Sequence, residues 1–151
     1  MKVAILSGSV YGTADEVARH AQKLLAAAGL DASHLPRATL EDLRTFAPQA
    51  LLVVTSTTGL GELPDNLQPL YYALRDQLPG EFRGLPGAVL GLGDSSYGDT
   101  YCGGSELIRE LFGELGVSEV VPMLRVDASE TVTPESDAEP WLADFIAALK
   151  A

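Results

Sequence analysis

Cysteine is almost missing from this chain: Cys102 stands alone among 151 residues. One cysteine closes no disulfide and builds no thiolate metal cluster, so a disulfide scaffold is excluded and a reducing cytoplasm is the expected compartment. Histidine is scarce as well. His20 falls in a helical segment and His34 in a strand segment, and neither lies beside an acidic or cysteine constellation. Both read as surface residues rather than ligands. Positive charge is the third shortage, with 10 Lys and Arg against 21 Asp and Glu and a net charge of −11. Nucleic acid and anionic membranes draw proteins through Lys and Arg, so both are excluded as partners. An acidic surface instead favours fast, salt-sensitive encounters with basic protein surfaces. Long apolar runs are missing too. Met1-Lys2 precede only Val3-Ala4-Ile5-Leu6, too short for a signal segment, and no window approaches the roughly 20 apolar residues of a membrane span.

What remains is 46% apolar and 21% charged residues, the balance of a soluble globular protein. One domain is expected over residues 1–151. Apolar runs alternate with amphipathic ones. Strands are expected at Lys2–Leu6, Asp31–Leu35, Ala50–Thr55, Pro86–Leu92 and Glu119–Val126, and helices at Thr13–Ala28, Leu40–Phe46, Asn66–Gln77, Gly104–Leu115 and Glu135–Leu149. Gly29 and Gly116 stand where helices should stop, and Pro134 and Pro140 flank the start of the last one. Runs such as Leu51-Leu52-Val53-Val54 are continuously apolar, as expected of strands covered on both faces. Five β-α repeats imply an α/β fold: a doubly wound, five-stranded parallel sheet with helices on both faces and a site at the strand carboxyl ends.

The first of those carboxyl ends opens into Ser7-Gly8-Ser9-Val10-Tyr11-Gly12-Thr13-Ala14. Strand, hydroxyl- and glycine-rich loop and helix start together make an anion site from backbone N–H groups and the helix dipole. No Lys or Arg occurs from Val3 through Val17. Loops that hydrolyse nucleotides need a lysine to manage charge moving on the γ-phosphate. A neutral loop suits a phosphate that anchors its ligand and does not react. Two more unusual loops follow the third and fourth strands: Ser56-Thr57-Thr58-Gly59-Leu60-Gly61-Glu62 through Asn66, and Gly91-Leu92-Gly93-Asp94-Ser95-Ser96-Tyr97 through Gly104. Their glycines let backbone groups face a ligand edge, and Tyr97 and Tyr101 offer flat faces for stacking. All three loops should converge on one crevice.

With these three motifs in order after the right strands, the whole chain resembles the flavodoxin family. It looks most like the short-chain, MioC-type bacterial members, with a strand order of 2-1-3-4-5. The resemblance implies an FMN site. Ser9, Val10, Tyr11, Gly12, Thr13 and Ala14 would wrap the phosphate. Thr57 and Thr58 would line the ribityl chain and the inner ring face, with Leu60 and Gly61 beside them. Gly59 would sit near the flavin N5, where the family's peptide turns over as the ring is reduced. Leu92, Gly93, Asp94 and Cys102 would give main-chain contacts to the ribityl and pyrimidine end. Tyr97 would be the outer stacking aromatic, with Tyr101 close by. The chain departs from the family at the inner face, where Thr58 replaces an aromatic ring, and in the phosphate loop, where Val10, Tyr11 and Ala14 stand where many relatives have threonine.

The implied role is a monomeric, low-potential electron carrier between an NADPH-dependent flavin reductase and iron-sulfur or radical enzymes. Asp94 and Asp99 near the pyrimidine edge should disfavour negative charge on the ring. The alternative is an FMN enzyme of the NAD(P)H:quinone reductase kind, but those are usually longer and oligomeric. A phospho-acceptor signalling domain would need an acidic cluster after the first strand and a lysine after the fifth, where this chain has Ser7 and Asp127. Cys102 and Arg109 are one residue too far apart for a cysteine phosphatase loop.

Overall fold

Apolar residues along each central strand go alternately to two different cores. In strand β1 (Lys2–Gly8), Val3 and Ile5 join one cluster while Ala4 and Leu6 join another. In β3 (Ala50–Ser56), Leu52 and Val54 take the first side, Leu51 and Val53 the second. This is why the runs read as continuously apolar: both faces of the sheet are covered. The computed structural model describes residues 1–58, 61–93, 102–127, 130–131 and 133–151.

Helices α1 (Thr13–Ala27) and α5 (Pro134–Lys150) cover the first face. Ala14, Val17, Ala18, Ala21 and Leu25 form the apolar stripe of α1 at helical spacing, and Phe145 of α5 is fully buried with its ring stacked 6.0 Å from that of Trp141. Burying a side chain of that size contributes on the order of 3 kcal/mol. The second face is covered by α2 (Leu40–Phe46), α3 (Gln68–Gln77) and α4 (Gly103–Leu115). The short α2 is fixed by a capping box: Asp42 N–H donates to Thr39 Oγ1 and Thr39 N–H to Asp42 Oδ2, both at 3.0 Å.

The sheet runs β2 (Asp31–His34), β1, β3, β4 (Pro86–Gly93), all parallel, in the expected order. Most element ends shift by one or two residues from expectation, and two of the differences have a visible cause. The last strand is two pieces, β5 (Ser118–Glu119) and β6 (Leu124–Asp127), each paired with β4. Gly87 faces Glu119 and Leu90 faces Leu124, so the outer chain carries two residues more than β4 between those pairs. The excess bows out around Pro122, which has no N–H for the ladder, and Trp141 Nε1 donates to its carbonyl at 2.7 Å. Helix α3 starts at Gln68 rather than Asn66, because Pro64 first closes a turn onto Leu67 and Gln68. Pro140 lies inside α5, within the helix expected there; it sits on the exposed side, where water can take the carbonyl it leaves unpaired.

Candidate functional site

The carboxyl ends of β1, β3, β4 and β6 lie side by side, with Gly8 opposite Thr55, Ser56 opposite Leu92, and Gly93 opposite Asp127. The loops that leave them share one edge. In the first loop, Ser9 N–H donates to Asn66 Oδ1 at 3.0 Å, tying it to the loop after β3, and Ser9 Oγ accepts from Gly12 N–H at 2.7 Å. Gly12 is the N-cap of α1 with φ 89° and no side-chain cap. A Cβ on Gly12 would meet no atom within 4 Å, so backbone conformation, not crowding, reserves the position for glycine. Thr13 is exposed and Ala14 buried. The first-turn N–H groups have no acceptor inside the helix and carry its positive dipole end. Val10 and Tyr11 are 50% and 95% exposed, so apolar surface is presented to solvent beside this turn.

Beneath the loop lies a cluster that the sequence did not reveal. Ser7, 1% exposed, has its Oγ 2.7 Å from Asp15 Oδ1 and 2.6 Å from His34 Nε2. Asp15 is in the first turn of α1 and His34 ends β2, with its backbone N–H donating to Gln22 Oε1 at 3.0 Å. His34 is therefore not the plain surface residue expected. Burial pushes its pKa below the usual 6.5, the nearby Asp15 partly opposes that, and Arg19 adds to it. His20 is nearer to expectation, pairing with Glu139 at 2.8 Å on a partly exposed surface. The trio has the residue types of a serine hydrolase without its wiring: the buried serine hydroxyl gives its proton to the aspartate, not to the histidine. No sequence spacing relates residues 7, 15 and 34; strand pairing and the β1–α1 turn bring them together.

The described part of the loop after β3 is held by packing against the start of α4. Thr57 Oγ1 accepts from Gly104 N–H at 3.1 Å. Thr58 and Glu62 exchange two backbone hydrogen bonds of 2.8 Å, closing the turn that contains Gly61. A Cβ on Gly103 would lie 2.8 Å from Gly61 Cα, so the start of α4 and the loop after β3 meet backbone to backbone, which only glycine permits. Leu92 is buried and Gly93 half-buried. Cys102, fully buried in a left-handed conformation with φ 54°, starts α4, and its carbonyl accepts from Ser105 Oγ at 2.7 Å. Its burial removes the thiol as a nucleophile. Gly59, Leu60, Asp94, Tyr97 and Tyr101 lie outside the described residues. Asn66, Gly103 and Gly104 are further residues that shape the edge; the asparagine was legible only as part of a motif.

These residues fit the phosphate end of a flavin mononucleotide: an uncapped helix start, donors from backbone and hydroxyl, and no fixed cation in the turn. Among the described residues no group of three or more His, Cys, Asp or Glu could hold a metal ion, and no helix is long and apolar enough to cross a membrane.

The flavodoxin family model matches residues 5–141. Flavodoxin YqcA of Escherichia coli is 38% identical over 144 residues, covering 95% of each chain. The MioC protein of the same organism is 34% identical over 148 residues, covering 98% of each. A solved cysteine-to-alanine mutant of flavodoxin from Pseudomonas aeruginosa superposes with a TM-score of 0.96 at 80% identity over the full length of both chains. An oxidised flavodoxin from Bacillus cereus shares the fold, with a TM-score of 0.84 at 21% identity over 97% of this chain and 98% of that one. A lysine-free turn after β1 and a buried cysteine agree with that likeness, and the chain belongs to the flavodoxin family as a short-chain, MioC-type member: an FMN-binding electron-transfer protein rather than an enzyme that remakes covalent bonds.

Proposed function

We propose that this protein carries single electrons at low potential, as a monomeric cytoplasmic domain over residues 1–151. It would take electrons from an NADPH-dependent flavin reductase and deliver them to iron-sulfur or radical enzymes through basic partner surfaces. The observation that carries this reading is the segregation of charge. Glu62, Asp65 and Glu130 stand in loops at the carboxyl edge, Asp127 at the carboxyl end of β6, and Asp15, Glu16, Glu106, Glu135 and Asp137 in the helix turns that begin there. Among the described loop residues on that edge, Arg37 is the lone Lys or Arg. Arg109 and Arg125 nearby are already paired with Glu106 and Glu119. Such a field speeds encounter with a basic surface, and the exposed Val10 and Tyr11 offer apolar contact once it arrives.

When bound, FMN accepts and releases one electron at a time, and the protein positions and tunes it. In this reading Ser9 through Ala14 hold the phosphate by backbone N–H groups and hydroxyls. Thr57, Thr58, Gly59, Leu60 and Gly61 line the ribityl chain and inner ring face, while Leu92, Gly93, Asp94 and Cys102 contribute main-chain groups. Tyr97, with Tyr101 near it, covers the outer face. A surround poor in cations and rich in carboxylates disfavours added negative charge on the ring, which lowers the potential of the last reduction.

The test is electron transfer from a flavin reductase and NADPH to the FMN-loaded protein at rising salt. The rate should fall steeply as ionic strength screens the acidic edge. A rate indifferent to salt, or rapid oxidation of NADPH by the loaded protein alone, would overturn the carrier assignment.

A further inference from the structure

An acid at the third position of a helix ordinarily helps to cap it. Asp42 does so in α2, where its carboxylate accepts the N-cap N–H. Asp15 holds the same position in α1, three residues after Gly12, yet the Gly12 N–H donates to Ser9 Oγ at 2.7 Å, the Asp15 Oδ1 takes the Ser7 hydroxyl, and the first-turn N–H groups beyond Gly12 have no side-chain cap. A serine hydroxyl has one proton, and Ser7 gives it to Asp15, so His34 Nε2 must donate to Ser7 Oγ. That arrangement holds in both charge states of His34. The neutral ring carries its proton on Nε2, and a second proton goes to Nδ1 without breaking the chain.

We propose that Ser7 and His34 are positioning residues for the flavin phosphate. They hold the Asp15 carboxylate away from the start of α1, which leaves the backbone N–H groups there to the phosphate and makes FMN affinity answer to the charge on His34. The proposal rests on the loop after β1 being the phosphate cradle. The charged groups facing His34 are Asp15 and Arg19 of α1; the same helix supplies Gln22 to its backbone, and β1 supplies the uncharged Ser7 hydroxyl. With His34 neutral, the cluster presents the single negative charge of Asp15 next to a helix start meant for a dianion. A proton on His34 cancels that charge. Linkage then requires that phosphate binding favour the protonated ring and that acid tighten FMN. Burial holds His34 neutral at pH 7, so the gain comes below the usual 6.5.

Riboflavin differs from FMN only by the phosphate, which makes the ratio of the two affinities the proper readout. Ser7→Ala frees the Asp15 carboxylate to swing toward the first-turn N–H groups of α1 and repel the phosphate, and the FMN-to-riboflavin affinity ratio should fall roughly five- to tenfold. Adding Asp15→Asn to that variant should restore the ratio to within about twofold of wild type. In the wild type the ratio should rise about threefold more between pH 8 and pH 6 than in His34→Gln, which shares the phosphate's own titration but cannot take the charge. The His34 ring titration followed by NMR should move up on adding FMN and stay put on adding riboflavin. A ratio unchanged by Ser7→Ala, or a loss that Asp15→Asn does not restore, overturns the positioning role. Should Ser7→Ala fail to fold, identical pH dependence in wild type and His34→Gln does the same. If wild-type protein binds FMN no tighter than riboflavin, the cradle assignment itself falls and this proposal falls with it.

Discussion

Helices α1 and α2 start with the same grammar and end with opposite outcomes. Each has an acid three residues after its N-cap, and only α2 uses it. Thr39 and Asp42 close the α2 start on itself, using two of its free N–H groups within the helix. At α1 the N-cap is Gly12, the acid is drawn down to Ser7, and the helix start stays open. A glycine N-cap costs a helix about a few tenths of a kcal/mol against a capping side chain. Both helices follow parallel strands and begin at the carboxyl edge, and the cost is borne at the one that follows the loop proposed to hold the phosphate. A capped start serves stability, an uncapped one serves binding, and the sequence position of one acid does not distinguish them.

The most severe way to break the contrast is to deform the open start. Gly12→Val forces a branched side chain into φ 89° and places it where the phosphate approaches. FMN affinity should fall on the order of a hundredfold, while circular dichroism stays that of wild type, since a Cβ there meets no atom within 4 Å. Unaltered FMN titration would move the phosphate elsewhere. Next in size is Tyr97→Ala, which tests the ring end independently of the helix start. Loss of stacking and burial should weaken FMN and riboflavin alike by about tenfold. Weakening of FMN alone would reassign Tyr97 to the phosphate. At the closed start, Thr39→Ala removes the capping box and should lower apoprotein stability by about 1 kcal/mol in urea unfolding. FMN affinity should not follow; a parallel loss would show that the two starts are coupled.

The smallest effect is the acid response of the apoprotein. His34 is held neutral by burial, so its folded pKa lies below the unfolded 6.5. Its contribution to stability is complete above 6.5 and is lost as pH falls through the lower folded value, because the unfolded chain takes up the proton first. Unfolding midpoints should therefore decline more gently with acid in His34→Gln than in wild type. Equal slopes would mean that His34 does not titrate in this range.

Much of this was legible beforehand for a physical reason. The strand and helix positions follow from apolar periodicity, a local property, and Leu40–Phe46 is found where the pattern put it. The three loops were legible because glycine and hydroxyl clusters between apolar runs have few other uses. The split after Glu119 was not, since Val120 and Val121 read as strand and only the register against β4 shows the excess that Pro122 turns outward.

The amino-acid sequence by itself determined that the sheet would be parallel and covered on both faces, that a neutral turn would follow the first strand, and that the surface would be acidic. Each of these is written in residues close together or in composition. Tertiary structure alone decided the fate of Asp15, which holds the same helix position as Asp42 but takes the Ser7 hydroxyl. Ser7 reaches it across the β1–α1 turn and His34 arrives from the neighbouring strand, 27 residues from Ser7 along the chain and 2.6 Å away in space. Hydrogen bonds of that kind have no sequence period, because they are set by which strands pair and in what register.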